Sequence, residues 1–482
     1  MTRISFLSNS DIDAIHSASL EILNRVGVEI RNPVARDIFK KAGCEVDASR
    51  VKMHSELIEE CIRRTPNSFD LYSTDGKTSF PIGEDHVLYN PGSSVSYFRD
   101  RLTEKMRKGT ARDLVEIVHL VDLLEHIHAQ STALIPSDVP EIITDVYRLY
   151  LILRDSRKPI ITGAFRKEGI QDMKMLLEVV VGDEEELERR PPAIFDCCPS
   201  SPLMWGDTTS QNLMDCAESK IPIEIVPAPL MGATSPVTIR GTIIQTNVEI
   251  ISGIALAQLV SPGTPIIYGG APASFDMRYA TPRFAAIEAI IAACASAEVG
   301  KRLGLPTHAY LGLSDSKTLD SQAGFESGLG IALGALTRVN IISGPGAYAY
   351  INCLSLEKLV IDNELCGAAY RLIREDYSTE TKDLISLIET VGPGGDFLKQ
   401  KHTARNLRTE HYMPSSIIDR LSTDSWIGAG SKNIMDRARE RVTELLDRQS
   451  SQRLDKDTSQ RLDRVLFEIL KSNNISKNQI PI

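Results

Sequence analysis

The chain is poor in the features that announce a ligand. Of its 482 residues only 6% are aromatic and two are tryptophan. Eight cysteines contain no C-x-x-C pair and no dense framework, which argues against a zinc ribbon or a disulfide-stapled fold and fits a reducing cytoplasm. No G-x-G-x-x-G follows a strand and no G-x-x-x-x-G-K-[ST] occurs, so neither dinucleotide nor P-loop phosphate binding is indicated. There is no excess of positive charge. With 54 Lys and Arg against 64 Asp and Glu, the net charge of −10 argues against nonspecific nucleic-acid binding and anionic membranes. The longest mostly apolar run, Ile250–Val260, falls short of a membrane span and is broken by Ser252 and Gln258. The opening residues lack a signal-peptide apolar core. A cytoplasmic protein is expected.

What is present is a rhythm. Eight short apolar runs, most ending in Gly, Pro, Ser or Thr, alternate with helix-length segments. They are His86–Asn90, Ile127–Thr132, Pro159–Gly163, Pro192–Cys197, Pro222–Pro227, Thr264–Gly270, Pro306–Gly312 and Val339–Gly344. Eight such repeats predict an α/β fold, a (β/α)8 TIM barrel, whose chemistry sits in the loops after the strands. The barrel is placed over 80–375. Residues 1–79 read as N-terminal helices and 376–482 as a helical C-terminal extension.

Side chains alternate along a strand, and apolar helices cover a barrel's outer face. Polar strand residues are therefore assigned to the lumen. This rule points His128, Gln130 and Thr132, Asp196 with Cys198 and Ser200, Glu224, Tyr268, and His308 with Tyr310 inward. Aromatic residues, few as they are, gather at strand ends: Tyr97, Phe98, Trp205, Tyr268, Phe275, Tyr279, Tyr310, Tyr348 and Tyr350. Aromatic faces are the natural partners of a quaternary ammonium, which has no N–H to donate. About half of these rings are expected to be ordinary packing.

Other signals are weaker. His126-Ile-His128 resembles the opening of a barrel hydrolase's metal site, but later strands offer only His308 and no closing Asp. Cys197-Cys198 reads as small buried residues, with Cys198 a possible lining residue. Lys317, in the loop after the seventh strand, reads equally as an anion-binding or a solvated residue, with Asp320 capping the next helix.

Four longer strings carry a resemblance. They are Ile250–Ala257 with Leu259–Gly263; Thr264–Pro272; Ser314–Gly324; and Gly392–Leu398 followed by His402-Thr403. In that order they resemble the trimethylamine methyltransferase family over about Ile12–Arg420. The resemblance implies transfer of a methyl group from a methylated amine to the cobalt(I) of cobalamin (a corrinoid) carried by a partner protein. No D-x-H-x-x-G cobalamin string occurs here, so the chain is expected to bind no cofactor of its own and no metal. Methanogen members carry pyrrolysine, whereas this sequence holds only standard residues through the strand-seven loop. Members of that kind are associated with quaternary amines, glycine betaine being the best known. Such a substrate already holds a good leaving group, so no catalytic residue in the acid–base sense is expected; positioning and water exclusion suffice.

The expected substrate-binding residues are Tyr97, Gln130, Thr162, Cys198, Tyr268, His308, Tyr310, Lys317 and Tyr348. Tyr97, Tyr268, Tyr310 and Tyr348 would form a cation cage. His308, ahead of Gln130, Thr162 and Lys317, would anchor a betaine's carboxylate. The Gly392–Gly395 turn and His402, Thr403 and His411 would border the mouth and help dock the corrinoid protein. A homo-oligomer is expected. The competing readings are a metal-dependent barrel hydrolase built on His126 and His128, and a noncatalytic betaine-binding protein.

Overall fold

The computed structural model describes residues 3–374, 381–448 and 454–481. Each of the eight sequence windows contains a parallel strand: β1 (Leu88–Asn90), β2 (Gln130–Ser131), β3 (Ile160–Thr162), β4 (Ala193–Cys197), β5 (Ile223–Ile225), β6 (Ile266–Tyr268), β7 (His308–Tyr310) and β8 (Ile341–Ser343). β2 to β6 form one parallel sheet, and β7, β8 and β1 a second. Hydrogen bonds join them at both seams. Tyr268 N donates to Pro306 O (2.8 Å) between β6 and β7, and His128 N to Tyr89 O (2.8 Å) between β1 and β2. The ring is closed as a TIM barrel.

Proline explains why the strands begin where they do. Pro159, Pro192, Pro222, Pro265 and Pro306 each stand at a strand's start, where a missing N–H costs nothing. Each carbonyl accepts from the preceding strand: Gln130 N, Ile160 N, Phe195 N, Ile223 N and Tyr268 N. The prolines thereby set the stagger of five neighbours.

The covering helices are α1 (Ala111–Leu123), α2 (Thr144–Asp155), α3 (Gly169–Val181), α4 (Asp207–Glu218), α5 (Ile239–Val260), α6 (Ile287–Arg302), α7 (Ser321–Leu336) and α8 (Leu356–Ile373). Asp320 caps α7, accepting from Gln322 N and Ala323 N. α5 corrects one sequence expectation: by length and composition it could span a membrane. It is instead buried nearly all round, Gln245, Asn247, Glu249 and Gln258 included, between the barrel and the helices Asn9–Arg25, Pro33–Lys41 and Ser55–Arg64. The N-terminal segment is not purely helical. Val28–Ile30, Glu45–Asp47 and Arg50–Lys52 form a small sheet completed by Met204–Trp205 from the loop after β4.

Two features position the site. First, a hairpin of Ser68–Tyr72 and Ser79–Gly83 plugs the amino-terminal end of the barrel. Its Leu71 and Ile82 pack on Leu88, Ala129, Ile161, Ile194, Ile267 and Ile341, an apolar floor drawn from six of the eight strands. Second, loops after β1 and β8 pair above the barrel, Tyr97–Arg99 with Cys353–Leu354, flanked by Met106–Lys108 and Ala347–Tyr348. Asp113 on α1 holds this sheet through two bonds from Arg107, one of 2.8 Å.

The C-terminal helices wrap the barrel wall. Ile434–Leu446 packs on α1 and α8, and Lys456–Ser472 on α2 and α3. The Gly392–Gly395 turn leads into Lys401–Glu410, where Arg371 Nε donates to Glu410 O and Arg374 Nη1 to Thr409 O (both 2.7 Å). Tyr412 lies beside His126. These contacts are with the C-terminal end of α8 and the approach to β2, both on the plugged side. The expectation that His411 borders the mouth is corrected: residues 409–412 pack at the opposite end.

Candidate active site

The apolar floor fixes the parity of the six strands that contribute to it. Ala129, Ile161, Ile194 and Ile267 face the lumen, so their immediate neighbours face the helices. Five expected lumen residues are therefore corrected: Gln130, Thr162 and Tyr268, and with them His128 and Thr132. Gln130 points outward, its Nε2 donating to Val118 O and Ser156 Oγ (both 2.9 Å) at the ends of α1 and α2. Thr162 meets Thr132 Oγ1 at 3.3 Å on the outer side. Tyr268 donates to Asn247 Oδ1 on α5 (3.1 Å) and is fully buried there. The rule failed because the helix layer supplies polar partners of its own.

One step above the floor the lumen turns polar. Asn90, Asp196, Glu224, His308 and Ser343, from β1, β4, β5, β7 and β8, form a continuous chain. Asp196 and Glu224 come within hydrogen-bonding reach, which two carboxyl groups do only when they share a proton. A Glu224 oxygen touches His308 Nδ1. His308 Nε2 meets Ser343 Oγ at 2.9 Å, and Ser343 donates to Asn90 Oδ1 at 2.6 Å. Burial pushes Glu224 up to about 8, against its hydrogen bond with Asp196. Burial, then the charge of Glu224, raises Asp196. Burial brings His308 down to about 4, against the pull of Asp196. At neutral pH the imidazole is uncharged and the dyad holds a proton. Asp196 Oδ1 receives no hydrogen bond from the described residues.

Above this chain lies a cavity of about 460 Å³ at the carboxyl-terminal mouth, walled by Ser93, Asp196, Cys198, Thr209, Asn212 and Tyr310 among others. Tyr310 stands edge-on to His308, ring centres 5.0 Å apart. Cys198 is exposed at the rim; the other seven cysteines are buried. The volume suits a small molecule.

The four-tyrosine cage does not form. Tyr310 is the lumen tyrosine. Tyr97 and Tyr348 pack with Ala349, Cys353 and Leu319 in the loop sheet, where Lys108 lies 4.2 Å from the Tyr97 ring centre. Lys317 pairs with Tyr350, its ammonium 3.8 Å above that ring, and is absent from the cavity wall. His308 has both ring nitrogens engaged, which corrects its assignment as the carboxylate anchor. His126 and His128 lie outside the lumen, against Tyr370 and Tyr412. Among the described residues no three His, Cys, Asp or Glu side chains converge as metal ligands.

The structure thus defines a (β/α)8-barrel protein with an acidic, solvent-open lumen above an apolar plug. The sequence model described as trimethylamine methyltransferase (MTTB) matches residues 1–468. The glycine betaine methyltransferase of Desulfitobacterium hafniense (strain Y51) is 29% identical over 428 residues, covering 88% of this chain and 89% of the relative. The trimethylamine methyltransferase MttB of Methanosarcina thermophila is 29% identical over 469 residues, covering 92% and 93%. In fold, the monomethylamine methyltransferase MtmB of Methanosarcina barkeri superposes with a TM-score of 0.52 at 12% identity, over 92% of this chain and 89% of that one. The chain belongs to the trimethylamine methyltransferase family, whose members act on methylated amines.

Proposed function

We propose that this chain transfers a methyl group from a quaternary amine, glycine betaine first among candidates, to a corrinoid carried by a separate protein. The observation that carries the reading is the Asp196–Glu224 dyad beneath Tyr310 on the cavity wall. A fixed cation with no N–H is held by a negative charge and an aromatic face, and this lumen offers both. The corrinoid supplies a cobalt(I) nucleophile. The chain's own residues bind and orient the amine: the plug excludes water from below, and the dyad steadies the cation until its charge leaves with the methyl group. The neutral amine that remains needs no proton, so the lumen requires no general acid.

The rim supports a docked partner. Phe165, Val237, Met277 and Tyr279 are exposed large apolar residues on loops after β3, β5 and β6, and Val237 and Met277 flank Gly232. Met277→Glu is expected to slow transfer to the protein-bound corrinoid about tenfold or more while leaving transfer to free cob(I)alamin within about twofold. Equal slowing of both would remove the rim from docking. The reading itself is tested by incubating the protein with free cob(I)alamin and glycine betaine, choline, carnitine or trimethylamine and following absorbance. Turnover restricted to trimethylamine would overturn the quaternary-amine assignment, and no turnover with any amine would favour a noncatalytic binding protein.

A further inference from the structure

The α2 helix carries a charge where its pattern asks for a hydrocarbon. Val146, Tyr147, Leu149, Leu151, Ile152 and Leu153 are all buried, and so is Arg148, with no exposed surface. A buried guanidinium normally lies against a carboxylate or has all its N–H groups satisfied. Arg148 has neither. Its Nη1 donates to Thr132 O (2.9 Å) and Ser94 Oγ (3.1 Å), while Nε and Nη2 have no acceptor among the described residues. No carboxylate oxygen comes within ion-pair distance of it among the described residues. The nearest acid on its own helix, Asp145, is engaged elsewhere: it accepts from Phe165 N at 3.1 Å and faces Arg166 Nε at 3.7 Å.

Arg148 stands one layer behind the mouth cavity: it is not on the wall, but two residues that it touches are. Ser94, which it holds, and Phe165, whose ring centre lies 4.6 Å from the guanidinium carbon, both line that cavity. Asp145 and, after it, Asp196 are close enough to interact with it electrostatically, though neither forms an ion pair with it. Asn212, on the same wall, donates to Ala164 O and leaves its Oδ1 without a partner. The cavity thus has a carboxyl dyad on one side and, behind Ser94 and Phe165, a cation with two idle donors. A plain cation would answer the first and leave the second uncompensated. A zwitterion with its charges a carbon or two apart would answer both.

We propose that Arg148 is the carboxylate anchor of the site, its Nε–Nη2 edge receiving the anionic end of a betaine, and that it selects zwitterionic over simply cationic quaternary amines. The proposal rests on the quaternary-amine reading and deepens it. Arg148 is a specificity residue, remote from the methyl group that moves. The half-exposed Phe165 ring touches both the guanidinium and the cavity, so under the proposal this ring shifts to let the anionic end reach Arg148.

The test is calorimetric binding of glycine betaine, choline, tetramethylammonium and acetate to the wild-type protein, Arg148→Gln and Arg148→Lys. The wild type is expected to bind glycine betaine at least tenfold more tightly than choline, and Arg148→Gln to lose roughly 100-fold for glycine betaine while choline changes less than about threefold. Arg148→Lys keeps the charge without the forked edge; it is expected to fold and to lose about tenfold for glycine betaine alone. A wild type that binds choline as tightly as glycine betaine overturns the anchor and keeps the quaternary-amine reading. So does a lysine variant that weakens both ligands equally, which would make Arg148 structural. Arg148-dependent binding of acetate without binding of choline or tetramethylammonium would overturn the quaternary-amine reading and keep the anion site. Binding of none of the four would overturn both.

Discussion

Asp196→Asn should lower kcat/KM for the quaternary amine by about two to three orders of magnitude in the free cob(I)alamin assay. The change is isosteric, so the cavity keeps its shape and loses only the carboxyl that shares a proton with Glu224, and with it the charge that the pair can carry. Removing one partner of a buried charge pair costs about 3–5 kcal/mol, and each 1.4 kcal/mol is tenfold. The folded protein should not suffer. A carboxyl held above its ordinary range by burial and by Glu224 is a group the fold tolerates poorly when ionised. The asparagine variant should therefore melt no lower than the wild type at neutral pH. Cys198→Ser, at the same wall but outside the dyad, serves as the comparison and should change turnover by less than about fivefold. A loss below tenfold for Asp196→Asn would remove the dyad as the counter-ion.

The second large effect is on pH. Glu224 in the fold titrates near 8 rather than 4.5, so the folded state prefers its acid form. A cation binds the ionised form. Affinity for a quaternary amine should consequently rise by up to about tenfold per pH unit between pH 6 and 8 and level off above. Stability should move the other way. A carboxyl with a raised folded pKa contributes fully below its unfolded pKa, and that contribution is lost as pH climbs from about 4.5 through about 8. His308, held neutral, has the opposite sense: its contribution is intact above 6.5 and lost as pH falls toward about 4. Glu224→Gln should flatten the binding profile and lift the melting temperature at pH 8. Calorimetry and thermal melts across pH 5–9 would read both, and an affinity independent of pH between 6 and 8 would show that the dyad does not face the cation.

The strands were legible because their start signals are chemical. A proline or glycine at one end or both marks six of the eight windows, short apolar runs fill them, and all eight windows hold their strands. Parity was legible only where polar residues do face inward, at Asp196, Glu224, His308 and Tyr310. It failed at Gln130, Thr162 and Tyr268, whose partners on α1, α2, α5 or a neighbouring strand come from distant stretches of sequence. The aliphatic residues were the better guide. Ala129, Ile161, Ile194 and Ile267 sit at one height and define the lumen by packing, which outward-facing polar residues cannot mimic. Tyr97 and Tyr348 were misplaced because counting barrel strands overlooks the loop sheet they belong to. Arg148 is marked in the sequence by its setting, one charge inside the apolar run Val146–Leu153.

The hairpin that plugs the amino-terminal end has a kinetic consequence. Among the described residues it leaves the lumen one opening, which under the proposed reaction amine, corrinoid protein and demethylated product would all use in turn. Under the proposed reaction the amine cannot enter beneath a docked partner, and the product cannot leave until that partner departs. Turnover is then compulsory-order. An excess of the partner protein should inhibit by closing empty barrels, and more amine should not relieve that inhibition instantly, since the amine must wait for the partner to dissociate.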